Sequence, residues 1–79
     1  MQDDVKLQWI NWDYIPAIIV GHRAWVLHEG GKEWTPINLM EVSYSGSEVP
    51  KEKFDAIFWE LQPYPPLPED ALKLLGRNK

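Results

Sequence analysis

Val5, Leu7 and Trp9 alternate with Lys6 and Gln8, which sets three apolar side chains on one face of an extended segment and predicts a strand. Asn11 to Tyr14 reads as a turn, Ala17 to Val20 as a short apolar strand closed by Gly21, and Ala24 to His28 as another. Gly30-Gly31 is the strongest hairpin signal in the chain, because two glycines accept the positive φ that tight primed turns require. It predicts pairing of Arg23–Glu29 with Lys32–Ile37, which brings Trp25 and Trp34 near each other across the turn. Met40, Val42 and Tyr44 alternate with Glu41, Ser43 and Ser45 and predict one more strand, broken by Ser45-Gly46-Ser47.

After Pro50 the period changes. Phe54, Ile57, Phe58 and Leu61 fall at the spacing of one helical stripe, with Pro50 suited to the first helical position and Pro63 to the end. A second short helix is expected from Glu69, with Ala71, Leu72 and Leu75 as its apolar stripe, acids in its first turn and Gly76 as its stop. The expected fold is α+β: a small antiparallel sheet of three to five strands over residues 5–45, an amphipathic helix over 51–61 and a C-terminal helix over 69–75. The helices are expected on one face of the sheet, and residues 1–79 as a single domain with a proline-rich connector at 62–68.

Composition sharpens this picture by exclusion. The 79 residues contain no cysteine, which removes disulfide scaffolds, thiolate zinc sites and thiol catalysis and suits a reducing, cytoplasmic compartment. The longest apolar run, Ile15 to Val20, is far shorter than the ~20 residues of a membrane span. The acidic opening Met1-Gln2-Asp3-Asp4 is not expected to act as a targeting leader. Net charge is −4, and all of that excess lies in residues 1–50, where seven acids face three bases. Such a surface repels phosphate backbones and favours basic partners. Nucleic-acid binding is therefore disfavoured, even though small β domains with exposed rings can stack bases.

Five tryptophans in so short a chain have two physical readings. Large rings supply volume to a small core, and they also dominate the hot spots of protein interfaces. Trp9, Trp12, Tyr14, Trp59 and Tyr64, with Asp13 and Glu60 beside them, are the candidate partner-binding patch. All but Trp9 fall outside the clean strand faces and the main helical stripe. The leading expectation is a non-enzymatic module that binds another protein, of basic character, through this acid-bordered aromatic patch; a homodimer is a further option, because an open sheet edge and spare rings can be buried against a copy.

An SH3-like or Tudor-like barrel reading proline-rich or cationic peptides is an alternative reading of the same rings. The segment Pro65 to Pro68, PPLP, resembles a ligand of WW domains, although a connector between two helices explains it as well. A third reading is an enzyme with a carboxylate or histidine site. No catalytic motif supports it: Ser43, Ser45 and Ser47 lack a nucleophile elbow, and Gly30-Gly31 lacks the helix and lysine of a phosphate loop. His22, His28, Glu29 and Glu33 do not converge at metal-ligand spacing, so neither metal nor cofactor is expected. The order strand, Ser-Gly turn, helix and proline exit over Ser43–Leu67 resembles that of small bacterial and phage reading frames, a likeness that implies no function.

Overall fold

The computed structural model describes residues 5–28, 33–61 and 63–76. Five strands, β1 (Leu7–Trp12), β2 (Ile15–Val20), β3 (Arg23–Val26), β4 (Thr35–Ile37) and β5 (Ser47–Val49), form one antiparallel sheet in the order β4-β3-β2-β1-β5. The α+β class and the small antiparallel sheet are as the pattern predicts. β4 and β5 are its two edge strands among the described residues.

The first four strands run as a meander whose turns are legible in the residues. The β1–β2 turn is tighter than the predicted Asn11–Tyr14: β1 continues through Trp12, β2 begins at Ile15, and only Asp13 and Tyr14 turn. Both have positive φ, 53° and 63°, the arrangement of a type I′ hairpin. Between β2 and β3, Gly21 at φ 64° occupies the first central position, where a primed turn calls for glycine. β3 and β4 pair in the register that a Gly30-Gly31 hairpin requires, Ala24 opposite Ile37 and Val26 opposite Thr35; the glycine turn itself lies outside the described residues. Trp25 stands opposite Pro36. Trp25 and Trp34 therefore meet in one core cluster rather than as a direct cross-strand pair.

The strand expected over Met40–Tyr44 is a helix instead, α1 (Leu39–Ser45). Asn38 caps it, its side chain accepting from the Met40 amide at 2.8 Å, and Glu41 sits three residues on, the spacing of a capping box. Leu39 and Val42 turn inward at helical spacing while Met40 and Tyr44 are exposed, so the alternation was a coincidence of a short amphipathic helix. Gly46 follows, its amide donating to the Val42 carbonyl at 2.7 Å. A Cβ there would stand 2.5 Å from Ile10 Cγ2 and 2.6 Å from the Val42 oxygen, so glycine is needed for close approach of backbone to sheet. The Ser-Gly-Ser segment, expected as a break, leads straight into β5 at the edge beyond β1.

This connection changes the layering. β4 and β5 lie on opposite edges of the strand order, and α1 crosses one face of the sheet between them, packing on β3 and β1. Ile10, Ala17, Ile19, Ala24, Val26 and Val42 form the core on that side. On the other face Ile18, Val20, Trp25, Leu27 and Trp34 pack with Phe54, Phe58 and Ala71. Phe54, Phe58 and Ala71, from the two expected helices, thus lie on one face as expected, while α1 covers the other; β2 is buried on both sides, which is why it reads as a continuous apolar run.

The single helix expected over 51–61 is broken in two. α2 spans Lys51–Ile57 with Pro50 at its N-cap, Phe58 leaves helical geometry (φ −112°, ψ 29°), and Trp59–Leu61 forms a 3-10 turn. Phe54 and Phe58 stay in the core, whereas Ile57 and Leu61 from the same predicted stripe are partly exposed. The last helix, α3 (Glu69–Gly76), begins where expected. Its inward residues are Ala71, Leu74 and Leu75, and Leu72, assigned to the stripe, faces outward. Between the two, Leu67 and Tyr64 pack on the core, and the Trp34 indole donates to the Pro65 carbonyl at 3.2 Å. The PPLP segment is therefore tied to the sheet face it crosses.

Candidate functional site

The structure divides the seven candidate residues among three places. Trp9 and Tyr64 are half-buried over Phe54, with ring centroids 4.8 and 5.4 Å from it, and the Tyr64 hydroxyl reaches the Phe54 carbonyl at 3.4 Å. Trp12 is on the opposite face of β1 and packs against the core beneath α1, as period-two alternation requires. Asp13, Tyr14, Trp59 and Glu60 are exposed.

Tyr14 and Glu60 come together, and they do so in a groove that sequence reasoning did not anticipate. An open depression of about 400 Å³ lies between the β1–β2 turn and the end of α2, walled by Tyr14, Ile15, Leu27, Ile57, Phe58, Glu60 and Leu61 with Pro16 between them. Tyr14 is 78% exposed, Leu61 43% and Ile57 37%; three large apolar side chains thus meet solvent on one concavity. Among the described residues Glu60 is the only charged one in the wall. Trp59, 65% exposed, projects from the same 3-10 turn, and Asp13 precedes Tyr14 in the turn opposite.

Two local features build this groove. The type I′ turn holds Tyr14 in the left-handed region, supported by its amide donating to Asn11 Oδ1 at 2.8 Å. The departure of Phe58 from helical geometry redirects the chain, so that Ile57 and Leu61 line the groove instead of joining Phe54 and Phe58 in the core. The positive φ of a tyrosine has no reliable signal in one sequence. The groove's helical wall did have one, in the apolar stripe of 54–61 that is longer than a small core can cover.

A second arrangement sits at the other end of α2. The Lys51 ammonium lies 5.0 Å from the Trp9 ring centroid and 5.7 Å from that of Tyr64, and donates to both carboxylate oxygens of Asp55 at 2.9 Å. A second depression, of about 360 Å³, separates α1 from the sheet and is bordered by Gln8 and Glu48, which hydrogen-bond to each other at 3.1 Å. Among the described residues no group of three or more His, Cys, Asp or Glu is placed to hold a metal ion, and no helix is long and apolar enough to cross a membrane.

Set beside known proteins, the chain matches no family model, no curated protein and no solved structure.

Proposed function

We propose that this is a small non-enzymatic, cytoplasmic binding module that takes an apolar side chain of a partner protein into the Tyr14–Ile57–Leu61 groove, with a basic residue of that partner set against Glu60. The observation that carries the reading is the convergence of three exposed large apolar residues on one concavity whose only charged wall residue, among those described, is an acid. Contiguous exposed apolar surface on a small domain marks interaction sites. Rigid aromatic anchors beside such a concavity have the composition of interface hot spots, and the net charge of −4 steers a basic partner.

The test is a titration of the labelled protein with short peptides carrying one Leu or Phe anchor flanked by Arg and Lys, or by Glu, followed in amide and indole NMR spectra. Shifts at Tyr14, Ile57, Leu61 and the Trp59 indole with the basic set are expected, and Glu60→Gln should erase the preference for basic flanks. Trp59→Ala should retain the fold and weaken binding by about 2 kcal/mol, the hot-spot range. Peptides that leave the groove unshifted, or acidic ones that bind as well as basic ones, would overturn the reading.

A further inference from the structure

We infer that Trp9, Tyr64 and Asp55 form an alkylammonium-binding site that Lys51 of the same chain occupies as a tethered stand-in ligand. The site is separate from the groove of the proposed function, at the opposite end of α2, and does not depend on it.

Recognition of an alkylated ammonium takes aromatic faces around the charge, with a carboxylate to complement it. Here two rings approach one ammonium, at 5.0 Å for Trp9 and 5.7 Å for Tyr64, and Asp55 meets it with both oxygens at 2.9 Å. The rings are held in advance of any ligand. Both rest on Phe54, which is fully buried, and Tyr64 is further fixed by its hydroxyl contact to the Phe54 carbonyl. Trp9 is set by β1, paired on both sides, opposite Ile18 and Val49. The cation is the adjustable part: Lys51 is the first residue of α2, and its side chain is 48% exposed, against 33% for Asp55.

Solvent therefore reaches the site, and the tethered lysine is held by contacts that are individually weak at exposed positions. An outside cation would have to displace it, at a penalty of about tenfold in affinity if the ion pair and ring contacts add modestly. The favoured ligand class is a methylated amine. Methyl groups shed water more readily than bare ammonium and so gain more from the ring faces, and a dimethylated amine keeps an N–H for Asp55 (two in dimethylammonium, one in dimethyl-lysine), which a quaternary centre lacks.

The experiment compares the wild-type chain with Lys51→Ala, which removes an exposed side chain and should leave the dispersed amide spectrum intact. Dimethylammonium chloride, tetramethylammonium chloride and a short peptide bearing dimethyl-lysine are titrated separately, reading the Trp9 indole and Tyr64 ring signals. The expected result is binding about tenfold tighter in Lys51→Ala than in wild type, with dimethyl preferred to tetramethyl, and loss of most of that gain in the Lys51→Ala, Asp55→Asn double variant. A peptide that binds well beyond the free amine assigns the ligand to a protein side chain, and equal binding assigns it to a small amine; both uphold the site. A gain below threefold, shifts away from Trp9 and Tyr64, or indifference to Asp55→Asn would overturn it.

Discussion

Tyr14 carries its ring at the lip of the groove on a backbone conformation that ordinary side chains avoid, φ 63° beside Asp13 at 53°. Left-handed geometry in a residue with a Cβ is disfavoured by roughly 1–2 kcal/mol, and glycine relieves it. Tyr14→Gly is accordingly expected to stabilise the fold by about 1 kcal/mol, read as a higher denaturant midpoint. It should at the same time abolish peptide binding at the groove. A loss of stability instead would mean that the exposed ring contributes more packing than its conformation withdraws. The same scale shows what one sequence can reveal of a site. That Tyr14 and Glu60 belong with exposed rings was legible, because neither fitted a buried face. That Trp9 and Trp12 point to opposite sides of the sheet follows from their odd separation on one strand, and it divides the expected patch as soon as β1 is extended through Trp12.

Among the elements, α1 is the instructive case. It has seven residues with Val42 as its one fully buried side chain, and its capping rests on Asn38. Val42→Ala should therefore destabilise the protein by about 2 kcal/mol through the cavity left against Ile10 and Ile19, while Tyr44→Ala on the outer face should change stability by less than about 0.5 kcal/mol. Chemical denaturation of both variants checks the assignment, since a strand with Val42 and Tyr44 on one face would make the two losses similar. The helix escaped the sequence pattern because seven residues span two turns, over which periods of 2 and 3.6 share several positions. Asn38 followed by Glu41, at the spacing of a capping pair, is the residue-level signal that marks the helix start. The hairpin strands and α3 were legible because their punctuation, Gly21, Pro68 and the acids Glu69 and Asp70, acts locally. The break at Phe58 has no such marker, since it arises from what the sheet can cover.

For the whole molecule, the sheet divides the interior into two cores that meet only through β1, β2 and β3. The larger one holds Trp25, Trp34, Phe54 and Phe58, and the smaller is covered, among the described residues, by α1. Such a division cannot be read from a chain whose helices are expected on one face, because the crossing of α1 is a property of strand order. The two edges of the sheet carry a consequence of their own. β4 has three residues with Pro36 in the middle, and β5, equally short, runs directly into Pro50. Proline offers an approaching strand no amide, and short edges give it little to pair with. Pro36→Thr restores the missing donor, and sedimentation over a range of concentrations should then show self-association that the parent chain lacks; identical behaviour would place the protection elsewhere. Short, proline-bounded borders therefore give a crowded copy of the chain little template on which to pair.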